Sequence, residues 1–317
     1  MELIKYIGKR LLTLVPVLLG ISFCAFILGI LAPGDPAEQA LFSIGIELPT
    51  EIQMEEMREE LGLNDPIHEQ YLRWLGNAIH ADFGESYFTS VKVADEFARR
   101  IPVTLKIAFL AMIWTSIMSV FMGICMAIWR NKLFDKVLRT ISVIMLSVPG
   151  FWLAMLLIML FSEQLRWLPT SGNGGLAHMI MPTFTLTCAT IGTVARITRA
   201  SLLTELGEQY ILVAKAKGLA NRLVVLRHAS ANALVPIVTL MGNYFGGILG
   251  GATIIESIFA LNGMGSYVLS AIKSNDYPIV QAYVLYTGCI YVVVTLFIDL
   301  LYVAVNPKIR LGGGSGK

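Results

Sequence analysis

The chain has 317 residues, 56% of them hydrophobic and 15% charged, with a mean hydropathy of +0.68. Soluble globular domains carry about 25% charged residues, so composition excludes a soluble fold and implies an all-α integral membrane protein. The net charge is only +2, and no nucleic-acid partner is expected.

A helix crossing about 30 Å of hydrocarbon needs about 20 apolar residues. Six stretches meet or approach that length: Leu11–Leu31, Val103–Trp129, Ile141–Phe161, Met179–Val194, Ala233–Phe259 and Ile279–Val305. In chain order, residues 1–31 read as a cytoplasmic end and a first span. That span is too long for the apolar region of a cleaved signal peptide, and Ala32-Pro-Gly-Asp-Pro36 is a poor cleavage site. Residues 32–101 read as an extracytoplasmic loop region. Within it Glu51–Leu61 is expected as a charged helix opened by the N-cap Thr50, and Asp65–Ile79 as a helix with Tyr71, Leu72, Trp74, Leu75 and Ile79 on its apolar face.

Residues 102–310 read as a five-helix core. Its fourth span is interrupted by Pro182 and diluted by Thr183, Thr185, Thr187 and Thr190, which neighbouring helices can accommodate. Ser201–Gly207 is expected to continue that span into a hydrophilic connector, 200–232. There Gln209–Leu219 is an Ala/Lys-rich helix, and Gly218 is placed to end it with a positive φ. A second helix, Asn221–Asn232, leads into the fifth span. That span is dense in glycine, with small-xxx-small pairs Gly246/Gly250 and Gly247/Gly251 that suit either a pore or a packing face. A turn at Asn262-Gly-Met-Gly265 precedes a short amphipathic piece, and 311–317 reads as a linker or tail.

Charge orients the spans. Of 22 acidic residues, 14 lie between Asp35 and Glu96, opposed there only by Arg58, Arg73 and Lys92. Lys and Arg gather at Lys5, Lys9 and Arg10, from Arg130 to Arg139, from Arg196 to Arg227, and at Lys308 and Arg310. The positive-inside rule then places both termini and the connector in the cytoplasm and the acidic loop outside.

Catalytic motifs are missing. There is no phosphate-cradling G-x-x-x-x-G-K-[ST], no H-E-x-x-H and no G-x-S-x-G, so no enzymatic activity and no resident cofactor or metal site are expected. Cys24, Cys125, Cys188 and Cys289 lie singly in apolar segments and read as buried thiols. Charges within spans are few. Asp299 lies near the cytoplasmic end of its span, and Lys106 and Glu256 lie near outer ends, where each can reach an interface or a partner. This shortage argues against an ion-coupled secondary transporter, which remains the weaker alternative.

The connector Gln209–Leu219, with Ala200–Tyr210 before it and Arg227–Pro236 after it, resembles the coupling segment of ABC-importer permeases of the dipeptide, oligopeptide and nickel branch. Further landmarks fall in order: Gly34-Asp-Pro36, Leu61-Gly-Leu-Asn-Asp-Pro66, Asp82-Phe-Gly84, Val148-Pro-Gly-Phe-Trp152, Ile255-Glu256, Asp276-Tyr-Pro278 and Asn306-Pro307. Of the general Glu-Ala-Ala-x-x-x-Gly motif only Ala214 and Gly218 match, with Leu212 and Val213 in the first two positions. The resemblance implies a type I permease fold and a second homologous permease subunit. It also implies two cytoplasmic ATPases that hold ATP and magnesium, and an extracytoplasmic solute-binding protein. Coupling would fall to Glu208, Tyr210, Ala214, Lys217 and Gly218. The translocation path or helix packing would fall to Gly246, Gly247, Gly250, Gly251 and Glu256. Nickel is the expected substrate, with di- or oligopeptides as the alternative.

Overall fold

In a computed structural model the chain is described over residues 2–31 and 34–305. The tail 311–317, Asn306-Pro307, Lys308, Arg310, Ala32-Pro33 and the side chain of Asp299 lie outside the described residues. The described chain is almost wholly helical: α1 Glu2–Leu31, α2 Pro36–Ser43, α3 Glu51–Glu60, α4 Ile67–Ile79, α5 Val93–Ile128, α6 Leu133–Ser147, α7 Gly150–Leu157, α8 Ala177–Glu205, α9 Gln209–Ala216, α10 Asn221–Leu223, α11 Ser230–Ala233, α12 Val235–Ile258, α13 Met264–Lys273 and α14 Tyr277–Val305. Two π-helical stretches, Ile158–Gln164 and Val224–Ala229, interrupt α-helical geometry.

Among the described residues four helices are long and apolar enough to cross a membrane, and a fifth candidate is the bent pair Leu133–Ser147 with Gly150–Gln164. The expected six spans are not established. The third of them, Ile141–Phe161, is not straight: its halves meet at 101°. Pro149 supplies no N–H and pushes the residue before it out of helical geometry, so Val148 takes φ −79° and ψ 122°. By contrast α8 runs unbroken through Pro182, which lies near its start.

The described residues form two compact units, one within 1–104 and 262–292, the other within 105–261 and 293–317. In the first, Thr50 caps α3 in a reciprocal capping box with Gln53. The Asp35 carboxylate caps α2 and receives the Arg58 guanidinium at 2.5 Å. On α4 the packed face is Tyr71, Trp74 and Ala78. Tyr71 stacks edge-on against Phe23 and hydrogen-bonds Ser22 at 2.8 Å. Leu72 and Ile79, expected on that face, point outward instead. The core of this unit joins Ala78, Phe83, Val93 and Phe97 to Met264, Ala271, Ile279 and Ala282.

A tight loop from Gly84 to Val93 crowns this core. Its ends pair through Val93 N–H to Gly84 C=O (3.0 Å) and an antiparallel bridge between Glu85 and Lys92. Ser86 Oγ donates to Asp276 Oδ2 at 2.5 Å, and the Tyr87 N–H donates to Oδ1 at 3.3 Å. Two stretches singled out in the sequence, Asp82-Phe-Gly84 and Asp276-Tyr-Pro278, are thereby brought together. Burial pushes the Asp276 carboxyl above its ordinary range against the pull of these donors, and burial beside Asp276 pushes the Tyr87 phenol up to about 12.

In the second unit α8 is the central element, packed against α6, α7 and α12. Its closest approaches are made at single glycines. A Cβ on Gly192 would meet the Ser142 carbonyl oxygen at 2.4 Å, and one on Gly123 would meet Thr198 Cβ at 2.5 Å. The glycines singled out in the sequence are looser. Gly246 is half-buried, a Cβ on Gly251 would meet Leu186 Cδ2 at 3.4 Å, and Gly247 and Gly250 have open space where a Cβ would stand.

Candidate functional site

The connector begins where α8 ends. Ile211 and Ala214, three residues apart on one face of α9, are buried against Leu202 of α8 and Ala127 of α5, with Val224, Val225, Ala229 and Ala233 completing the cluster. The opposite face is open: Leu212 is 59% and Val213 56% exposed, and Leu226 beyond them is 55% exposed. Tyr210 anchors the start of α9. Its hydroxyl donates to Glu205 Oε2 at 2.6 Å and accepts from Asn232 Nδ2 at 3.1 Å. Burial, reinforced by the Glu205 hydrogen bond, raises the Tyr210 phenol above its ordinary range.

The helix closes at Gly218, whose φ is +79°. The Leu219 N–H bonds back to the Ala214 carbonyl at 3.4 Å, the six-to-one bond of a Schellman cap, and the two residues share the same apolar cluster. Among the described residues, its two chain neighbours aside, no atom lies within 4 Å of where a Cβ on Gly218 would stand. The cap therefore depends on backbone freedom alone.

The structure sorts the expected residues. Glu208, Tyr210, Lys217 and Gly218 are all exposed, the first two at the start of α9 and the last two at its end, whereas Ala214 faces inward and is 7% exposed. Glu256, expected to reach an interface or a partner, is completely buried in the last turns of α12, which leaves the second of those two readings. The glycines of α12 are not gathered into one packed face. Among the described residues no group of three or more His, Cys, Asp or Glu side chains is disposed to hold a metal ion.

Sequence reasoning missed two features. One is the outward exposure of Leu212 and Val213, the residues that depart from the general motif, with Leu226 exposed as well. The other is a buried ion pair: Asp135 is fully enclosed and receives Arg199 through Nε–Oδ1 and Nη2–Oδ2 contacts of 2.9 Å each. Its signal in the sequence is that Asp135 is the lone acid among Arg130, Lys132, Lys136 and Arg139.

Residues 119–311 match the family model described as the binding-protein-dependent transport system inner membrane component, and 3–108 match that of the corresponding N-terminal region. The chain is 39% identical over 308 residues to the glutathione transport system permease protein GsiC of Escherichia coli (strain K12), covering 97% of this chain and 99% of that protein. The same figures hold for its counterpart in Shigella dysenteriae serotype 1 (strain Sd197). Among solved structures, an inward-facing MetNI methionine ABC transporter shares the fold, with TM-score 0.55 and 18% identity over 66% of this chain and 96% of that one. With helices of spanning length and a match reaching from residue 3 to residue 311, the chain belongs to the family of inner-membrane permease components of binding-protein-dependent ABC importers.

Proposed function

We propose that this permease carries small peptides or peptide-like thiols of the glutathione class, driven by ATPase subunits that dock on α9. The observation that carries the substrate is the 39% identity, over 97% of the chain, to permeases named for glutathione. Nickel, the expectation from sequence, has no comparable support, since the relatives' names favour the peptide alternative. A secondary carrier finds no support in a family defined by dependence on a binding protein. The docking reading rests on α9 presenting Leu212 and Val213 outward while Ile211 and Ala214 tie it to α5 and α8, so a load on α9 reaches two long helices. Two ATPases, which would hold the ATP and magnesium, a second homologous permease and a solute-binding protein complete the working assembly.

The test is uptake by the reconstituted complex. Labelled glutathione or a tripeptide should accumulate in an ATP-dependent way, and nickel should not. Accumulation of nickel with no peptide uptake would reverse the assignment. The proposed orientation places 32–101 outside and 200–232 inside. Cys introduced at exposed Ser90 should then react with an impermeant reagent on intact cells, and Cys at Asn221 should not; outside labelling at 221 would refute it.

A further inference from the structure

The Asp135–Arg199 pair is more elaborate than stability requires. Both Asp135 oxygens are used: Oδ1 meets Arg199 Nε, and Oδ2 takes Arg199 Nη2 together with the Asn131 N–H at 2.9 Å. Arg139, one turn along α6, approaches Oδ1 at 3.4 Å. The Asp135 side chain is 0% and the Arg199 side chain 17% exposed. Buried ion pairs are poor stabilisers, because desolvation cancels most of the attraction and well-packed apolar residues often do as well. What a planar, two-point contact does supply is a fixed register between the helices that bear it.

That register is held at two points. Seven residues beyond Asp135 on α6 is Ser142, and seven before Arg199 on α8 is Gly192, where a Cβ would run into the Ser142 carbonyl. The contacts thus lie about two helical turns apart on antiparallel helices. Arg199 lies three residues before Leu202, and Leu202 is the α8 residue on which Ile211 and Ala214 of α9 rest. A continuous set of contacts therefore runs from α9 through Leu202 and Arg199 to Asp135, and along α6 to its 101° bend at Val148-Pro149.

We propose that Asp135 and Arg199 form a positioning joint that makes α6 move with α8 when the ATPases displace α9. The proposal rests on the docking reading of α9 given above.

The experiment uses the full complex with its ATPases and binding protein, in a background where the four native cysteines are replaced by serine. Spin labels at exposed Val137 on α6 and Ala200 on α8 report the joint. A second pair, Ala200 and Ile254, reports whether α8 itself moves. In the parent complex the Ala200–Ile254 distance should change when ATP is bound, and the Val137–Ala200 distance should be the same in both states. The double variant Asp135→Leu/Arg199→Met removes both buried charges together, leaves Arg139 with its 43% exposed side chain to turn to solvent, and is expected to assemble. In it the Val137–Ala200 distance should become different in the two states. A distance still identical in both states would overturn the joint while leaving the docking reading intact. A parent complex in which Ala200–Ile254 ignores ATP would overturn both. A double variant absent from the membrane would make the pair a folding requirement and overturn the joint as well.

Discussion

At Gly218 one backbone angle sets how α9 ends. An L-residue other than glycine is disfavoured in left-handed geometry by about 1–2 kcal/mol, with Asn the best tolerated and β-branched residues the worst. Such a penalty shifts the population of the cap by a factor of about 5–30. Because open space surrounds the position, the effect is conformational and not steric. Gly218→Asn is therefore expected to keep near-normal uptake. Gly218→Val is expected to lower uptake severalfold and to loosen the ATPases, with the chain itself present at nearly normal abundance. Measuring uptake beside co-purification of the ATPases decides the matter: wild-type values for both in Gly218→Val would remove α9 from the coupling path, and loss of the chain would assign Gly218 to folding.

Among the helices, the tightest contacts lie where the sequence did not advertise them. Gly192 stands alone in α8, outside any small-xxx-small pattern, yet its Cα hydrogens face the backbone of α6. Gly192→Leu should force the helices apart and cut the yield of folded, monodisperse protein in detergent. Gly250→Leu should leave that yield unchanged, since nothing in the described chain is near; any loss of transport in it would arise at a neighbouring subunit. Size-exclusion profiles of the two variants side by side give the answer, and a normal Gly192→Leu profile would refute the close-contact argument. Local signals were legible in the sequence: the N-cap at Thr50, the stop at Gly218, and the length of α8 into the connector. Their causes lie within a few residues of one another. The bend in α6–α7 was present as Val148-Pro149, but the apolar run on either side masked it, because hydropathy measures transfer to lipid and not backbone geometry. The Asp135–Arg199 and Ser86–Asp276 pairs join residues 64 and 190 apart, and the outward turn of Leu72 and Ile79 and the burial of Glu256 are likewise set by tertiary packing, which no local pattern encodes.

Over the whole molecule, the first unit is assembled from both ends of the chain. Phe83, Val93 and Phe97 have no complete core until Met264, Ala271, Ile279 and Ala282 reach them, and the 84–93 loop has no anchor until Asp276 does. A ribosome adding about 5–20 residues per second takes roughly 10–40 s to travel from Thr104 to Val292. For that interval Phe83, Val93 and Phe97 lack the returning half of their core, and only the contacts of Tyr71 and Trp74 with Phe23 and Phe26 of α1 are available to the region. Whatever escorts the nascent chain must shield the 35–100 region during this time, and a stalled or shortened product would leave it exposed for good. A chain ending after Leu261 should accordingly be cut within 35–100 by protease added from the outer side, under conditions where the full chain resists. Equal resistance of both would mean that the region folds without the returning segment. The seal on the first unit is thus a timing device: synthesis must nearly finish before the earliest-made part of the protein becomes safe from degradation.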